Sequence, residues 1–188
     1  MNNEEINRSL CEHARSYFAG HNVSERQWKD GPILELLPQF RVLEIGPGPR
    51  NNLWTYTSVG TWEVQHEDTG LVEFMIIAEK QNLRHVKLLA MNAVYYMDHI
   101  LQLGDTYPIG APWVRGSRCD HMLVSLPYPY GPDWEICNFA DGHIHIYWLL
   151  PITSAEHDYK IEHGVEALEA LFEKKGLEYW KIHRKSVV

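Results

Sequence analysis

The chain has 188 residues, of which 45% are hydrophobic and 12% aromatic, and its formal net charge at pH 7 is −8. A chain of this length suits one domain that buries about 70% of its unfolded surface without disulfides or metals. It contains no apolar stretch of the roughly 18 residues that a membrane span needs, and no signal peptide is recognisable at its N-terminus. Three cysteines without paired spacing favour a reducing compartment, so a cytoplasmic protein is expected.

The predicted elements follow one another along the chain in the order α-β-β-β-α-β-β-β-α. Apolar residues at helical spacing predict helices over 3–19 and 83–101, and a Thr153–Glu156 capping box predicts a last helix that ends at Gly176. Strands are predicted at 41–46, 53–61, 71–77, 121–126, 134–139 and 143–150, with a hairpin turn at Asp141-Gly142. Residues 33–37 suit a helical turn or a strand, 106–117 a loop, and 177–188 a short tail.

Several of the connections between predicted strands are short, and short connections require antiparallel pairing. The sequence therefore predicts an α+β fold, a single domain over residues 1–188 with a mixed, mostly antiparallel β-sheet flanked by α-helices.

The acidic residues are concentrated in two windows without lysine or arginine. The windows between Arg50 and Lys80 and between Arg118 and Lys160 together hold eleven acids. A nucleic-acid-binding protein needs a positive face, so nucleic acid is not expected as a partner. An acidic face would instead steer a basic protein partner towards the chain. Surface acids kept for solubility explain the same pattern equally well.

The glycine motif Gly46-Pro47-Gly48 can be interpreted in two ways. A strand followed by such a motif opens many nucleotide-binding and S-adenosylmethionine-binding enzymes. Here Pro47 and Pro49 remove two amide donors, and the aromatic, β-branched run after them predicts a second strand instead of a helix. We therefore favour a strand–turn–strand unit. A methyltransferase that uses Glu44 to Gly48 is the alternative hypothesis.

Two other combinations of reactive residues have part of the composition of a catalytic or metal site. His143 and His145 share one strand face and His121 lies on another strand, yet no typical zinc spacing accompanies them. Cys119 and His121 have the chemistry of a nucleophile and a base, but no known catalytic motif surrounds them. The expectation is a protein that is not an enzyme and has no cofactor and no metal.

Aromatic side chains on a stiff backbone beside acids are typical of interaction hot spots. The proline-rich loop at 127–132 is the least core-like aromatic segment, whereas core packing would explain Trp54 and Trp148. The candidate partner-binding residues are the aromatic anchors Tyr56, Trp62, Tyr128, Tyr130 and Trp134, with the steering acids Glu63, Glu67, Asp68, Asp133, Glu135 and Asp141.

The order and spacing of several blocks resemble the Suppressor of fused domain family nearly end to end. The blocks are GPGPRNNLWTYTSVG, LVEFMIIAE, HVKLLAMNAVYYMDH with LGDTYPIG, SRCDHMLVSLPYPYGP, and IHIYWLLPITSAEHDYKIEHGVEALEALFEKKG. The resemblance implies a mixed sheet flanked by helices and a protein-binding role, since the family is not known as an enzyme fold. In animal members the segment matching Trp54–Asp68 lies near the partner groove, which favours Tyr56 and Asp68 as contacts.

Short members that resemble this chain are bacterial and are associated with immunity proteins, or antitoxins, of toxin systems. The resemblance therefore implies a non-catalytic protein that neutralises a cognate toxin by direct binding. Many such toxins are nucleases with a basic cleft, which would suit the acidic windows. A cytosolic regulatory adaptor is the other hypothesis that the sequence leaves open.

Overall fold

A computed structural model describes residues 2–67 and 69–188. Its strands are β1 (Val23–Arg26), β2 (Arg41–Ile45), β3 (Trp54–Val59), β4 (Leu71–Ala78), β5 (Thr106–Pro108), β6 (Cys119–Ser125), β7 (Ile136–Phe139) and β8 (Gly142–Thr153). Its helices are α1 (Asn3–Tyr17), α2 (Ile33–Leu36), α3 (Leu83–Asp98), α4 (Pro132–Glu135), α5 (Ser154–His163) and α6 (Val165–Lys175), and a 3₁₀ turn spans Thr61–Glu63. No helix in these described ranges is long and apolar enough to cross a membrane.

The strands form one mixed sheet in the order β1-β2-β3-β4-β8-β6-β5, with β7 paired to the start of β8. The β4–β8 pair is parallel and places Leu71 beside Ile144. The other strand pairs of the described sheet are antiparallel. The predicted α+β fold, with a mixed and mostly antiparallel sheet flanked by α-helices, is therefore confirmed.

Helices cover both faces of this sheet. Phe74 and Ile76 of β4 pack in a core with α2 and α3, whereas Met75 and Ile77 pack in a second core with α1 and α6. We call these the α2–α3 face and the α1–α6 face. A strand that is covered on both faces is apolar at successive positions, which explains the uninterrupted apolar run of β4. Each such buried side chain stabilises the fold by about 1.5–3 kcal/mol.

Three local elements differ from those that the sequence predicts. The edge strand β1 is mostly exposed and polar, so it carries no apolar periodicity, and β5 lies inside the predicted 106–117 loop. The predicted strand at 134–139 begins only at Ile136, because Pro132–Glu135 forms the short helix α4. The ambiguous segment at 33–37 forms the short helix α2.

The predicted last helix is two helices. Thr153 begins α5 with the predicted capping box, in which its hydroxyl accepts from the Glu156 amide and the Glu156 carboxylate accepts from the Thr153 amide. Gly164 then adopts φ 88°, a left-handed value that favours glycine, and the helix breaks. The second piece, α6, ends at Gly176 as predicted and packs on the α1–α6 face.

The C-terminal segment 177–188 is not a free tail. It contains no helix or strand, yet Arg184 is buried, and Leu177, Tyr179 and Val187 pack against the core of the α1–α6 face. The segment is therefore part of the folded domain.

Candidate partner-binding groove

The glycine motif has no cofactor-loop geometry. The Gly46 amide donates to the Asn22 carbonyl at 3.0 Å and the Gly48 amide to the Asn51 carbonyl at 2.9 Å. The His21 ring covers the loop, and a Cβ on Gly48 would lie 2.5 Å from it, which explains why glycine stands there. The loop leads into β3, so no helix N-terminus meets it. The geometry thus gives the methyltransferase alternative no support.

The histidines considered as zinc ligands do not converge. His143 and His145 have ring centroids 4.9 Å apart, but His121 stacks on His157 at 4.4 Å and contacts Asp120 at 2.9 Å. Among the described residues, no group of three or more His, Cys, Asp or Glu side chains is arranged to hold a metal. Burial raises the pKa of the Cys119 thiol, which is opposite to what an activated nucleophile requires.

Three of the aromatic residues predicted as anchors lie in the core. Tyr56 is 0% exposed, and its hydroxyl accepts from the Asn82 amide at 2.9 Å. The indole N–H of the buried Trp62 donates to Asn7 Oδ1 at 2.8 Å. Trp134 is also 0% exposed. As folded, these three side chains present no surface to a partner, because helices cover both faces of the sheet.

Tyr130 is half-buried and fixes the loop between β6 and α4. Its backbone carbonyl accepts from the Tyr17 hydroxyl at 2.6 Å, and its own hydroxyl lies 2.6 Å from Thr55 Oγ1. Burial raises the pKa of the Tyr130 hydroxyl far above its usual value. We call residues 127–131 the Tyr-Pro loop. Tyr130 holds this loop against α1 and β3, which leaves Tyr128 free to face solvent.

Tyr128 is 62% exposed and stands at the edge of a groove of about 750 Å³ between the Tyr-Pro loop and α6. The apolar floor of the groove is formed by Trp148, Leu150 and Phe172. Leu177, in the segment after α6, also lines it. We call this cavity the α6 groove. Exposed tyrosine beside an apolar hollow is the composition expected of a protein-binding site.

The α6 groove carries a row of carboxylates along one wall. Glu166, Glu169 and Glu173 of α6 line it, and their three- and four-residue spacing puts them on one helix face. Burial raises the pKa of Glu169, and the neighbouring Glu166 raises it further, although a hydrogen bond with Ser125 opposes both. These acids lie outside the two windows without lysine or arginine, so the distribution of charge along the sequence does not single them out.

One of the predicted acids, Glu135, lies near the groove. Asp133 is exposed on α4, directly after the Tyr-Pro loop, and Glu135 is half-buried on the same helix. Burial raises the pKa of Tyr128, and the carboxylates of Glu169 and Glu135 raise it further, so both lie near that hydroxyl. Tyr128 and Glu135 therefore lie close to Glu169 of α6, whereas Asp133 lies near the Tyr17 hydroxyl of α1.

The remaining predicted acids lie elsewhere. Glu63 is half-buried in the 3₁₀ turn, Glu67 is exposed before β4, and Asp141 is exposed in the β7–β8 turn. Because β4 and β8 are parallel neighbours, Glu67 and Asp141 stand at the same end of the sheet. Asp68 lies outside the described residues.

The fold and the groove together define an α+β domain with a mixed sheet between two helical layers and an acid-rimmed surface site. Residues 37–185 match the family described as Suppressor of fused protein (SUFU), and the chain belongs to that family. No curated protein sequence matches it.

Solved structures agree with this assignment. A SUFU homolog from Neisseria gonorrhoeae shares 35% sequence identity, with 98% of both chains covered and a TM-score of 0.87. The Sufu–Fu complex aligns at 13% identity and a TM-score of 0.71, over 96% of this chain and 91% of that chain. Drosophila Suppressor of Fused aligns at 12% identity and a TM-score of 0.69, over 96% of this chain and 50% of that chain. The last two share the fold.

Proposed function

We propose that the chain is a protein-binding domain that receives a basic segment of its partner in the α6 groove. The observation that carries this proposal is the juxtaposition of an apolar floor, three carboxylates on one face of α6 and the exposed Tyr128. A SUFU relative has been crystallised in complex with Fu, which supports a protein as the kind of partner.

The groove suits an arginine or lysine side chain with an apolar neighbour. The aliphatic stem of such a residue can lie on Trp148 and Phe172 while its charged end reaches the carboxylates of α6. A guanidinium on a carboxylate makes charge-assisted hydrogen bonds, which are about twice as strong as neutral ones. Acids that line the entry would also accelerate the encounter with a basic partner.

The partner class that we propose is a cognate toxin, which makes the chain an immunity protein. A net charge of −8 complements a basic toxin surface such as the active-site cleft of a nuclease. The homolog from Neisseria gonorrhoeae, similar over nearly its whole length, is a bacterial member of the family, which is compatible with this proposal. A cytosolic regulatory adaptor would use the same groove for a different basic partner.

The test is affinity capture from the native cell with three forms of the tagged chain. Glu173→Lys changes the charge of the groove, and Glu35→Lys on the opposite α2–α3 face makes the same charge change away from it. We expect a stoichiometric basic partner on the wild type and on Glu35→Lys, and about tenfold weaker binding by Glu173→Lys.

The captured partner is then expressed alone and together with the chain. A toxin should stop growth alone and be neutralised in the pair, with Glu173→Lys protecting less well than Glu35→Lys. A harmless regulator would replace the immunity role by the adaptor role. Equal retention of the partner by both variants would show that the α6 groove is not its site.

A further inference from the structure

The α2–α3 face, opposite the α6 groove, carries most of the exposed apolar side chains. Of the nine large apolar side chains exposed among the described residues, six lie on α2, on α3 or directly after α3. They are Leu36, Leu83, Met91, Tyr95, Ile100 and Leu103. Apolar side chains scattered singly over a surface are ordinary, whereas a concentration on one layer marks an interaction surface.

Met91 and Tyr95 form a ridge between two hollows. A hollow of about 600 Å³ lies between α3 and the segment Trp28–Ile33, and one of about 80 Å³ lies between α3 and β5. Both hollows are lined by Met91 and Tyr95. The ring of Tyr95 is held by stacking on Tyr107 at 5.1 Å, so the ridge is preorganised. A ridge beside a hollow is the shape that packs against a second helix.

The two ends of the ridge carry opposite charges. Lys87 and Asp98 are eleven residues apart on α3, which places them on one helix face about 16 Å apart. Asp98 is exposed, and the Lys87 ammonium lies 5.9 Å from the centroid of the Trp28 ring. Within the part of the chain that the structure describes, neither residue forms an ion pair. On α3 the ridge therefore runs from a positive end over an apolar centre to a negative end, and Asp30 adds one acid to the hollow beside it.

When two copies of α3 lie antiparallel, the positive end of each helix faces the negative end of the other. We propose that α3 packs antiparallel against α3 of a second copy of this chain, around a two-fold axis that passes between Met91 and Val94. Lys87 then faces Asp98 of the second copy, and Met91 faces its Val94. Because a two-fold axis repeats each contact, the Lys87–Asp98 pair forms twice. The ridge of each copy enters the hollow beside the ridge of the other.

The predicted dimer is weak. One helix face buries less than the standard interface of about 1,600 Å², and a charge of −8 on each copy opposes association at low salt. We expect a dissociation constant of about 10–100 µM, which is typical of a transient contact. The other possible occupant of this face, a different protein, would leave the chain monomeric.

Sedimentation equilibrium of the whole chain between about 1 µM and 1 mM, a range that brackets this constant, tests the proposal. Lys87→Glu and Asp98→Lys each place like charges opposite one another, so each should raise the dissociation constant about tenfold. The double variant Lys87→Glu/Asp98→Lys restores opposite charges and should return the constant towards that of the wild type. Glu173→Lys, on the α1–α6 face, is the control that should leave the dimer unchanged.

Each other outcome overturns the proposal. A chain that stays monomeric up to the highest concentration does not pair through α3. A dimer that neither single reversal weakens, or that the double variant fails to restore, uses another face or another register. Far-ultraviolet circular dichroism of every variant should show the helix content of the wild type, so that loss of the dimer is not loss of the fold.

Discussion

The guanidinium of Arg184 donates to both carboxylate oxygens of Glu156, at 2.7 and 2.6 Å, where neither side chain is more than 3% exposed. Arg184 also donates to the Pro151 carbonyl at 2.9 Å, and the same carboxylate accepts from the Val187 amide at 3.0 Å. This buried pair joins the C-terminal segment to the junction of β8 and α5. These hydrogen bonds lower the pKa of Glu156 despite its burial.

Removing one charge of this pair should destabilise the fold strongly. Glu156→Gln leaves Arg184 buried without its counter-ion, and we expect a loss of about 3–5 kcal/mol in the free energy of unfolding. Urea titration followed by tryptophan fluorescence measures it. The exposed pair Glu178–Lys181 is the control, and Glu178→Gln should cost about 1 kcal/mol or less. Similar losses in the two variants would contradict the structural role of the buried pair.

Glu73 should make the fold less stable as the pH rises. Burial raises its pKa to about 7, even though the Gly60 amide donates to Oε1 at 2.6 Å and the Ser58 hydroxyl bonds the other oxygen. Since the folded-state pKa lies above the unfolded value, this stabilisation is complete below about pH 4.5 and is lost as the pH rises through about 7. The loss over that window is about 3 kcal/mol.

The comparison with Glu73→Gln isolates this effect. Glutamine can accept from the Gly60 amide and donate to Ser58, so the variant should fold and lack the titration. From about pH 4.5 to 7, the unfolding free energy of the wild type should fall steadily relative to that of the variant. A difference that is the same at every pH would mean that Glu73 does not titrate in this window.

His85 should make the fold more stable as the pH rises, opposite to Glu73. Burial, with the charge of Arg84, lowers its pKa to about 4, and its ring lies between Tyr56 at 4.8 Å and Trp113 at 5.2 Å. Since the folded-state pKa is depressed, its contribution is present above about pH 6.5 and is lost as the pH falls towards about 4.

The two opposing titrations overlap in the wild type. In the Glu73→Gln background, stability should therefore rise with pH between about 4.5 and 6.5, and adding His85→Phe should flatten that rise. Unfolding titrations at four pH values resolve the two groups. If stability still rises with pH in the double variant, another residue causes that rise.

Substitution of Tyr128 should weaken partner binding, whereas substitution of Trp134 should lower stability. Tyr128→Ala removes an exposed aromatic side chain beside the α6 groove, so we expect partner affinity to fall about tenfold or more with unchanged unfolding free energy. Trp134→Ala leaves a cavity in the core and should cost about 3–5 kcal/mol. Isothermal titration with the captured partner and urea unfolding of both variants measure the two effects. An unchanged affinity of Tyr128→Ala would remove it from the site.

Periodicity predicted the central elements because burial on both faces leaves a strong signal. β4, α3 and the β7–β8 hairpin follow from apolar spacing and from Asp141-Gly142. The same rule does not give which strand faces are covered, so the sequence predicts Tyr56 as a partner contact although α3 packs over it. Trp134 was misplaced for a related reason, since one turn of helix aims it at the core. The position of α6 over β6 and β8 creates the α6 groove, and no local pattern encodes that position.

The parallel junction between β4 and β8 has a consequence for synthesis of the chain on the ribosome. β1 to β4 can pair as a meander as soon as they emerge, but the outer edge of β4 finds its partner only when the segment around Ile144 has been made. Until then an almost entirely apolar strand has an open hydrogen-bonding edge, which is a template for aggregation. A ribosome that stalls between β4 and β8 would therefore carry an incomplete sheet that is prone to aggregation. Chaperones that bind unfolded chains would be needed most at that stage.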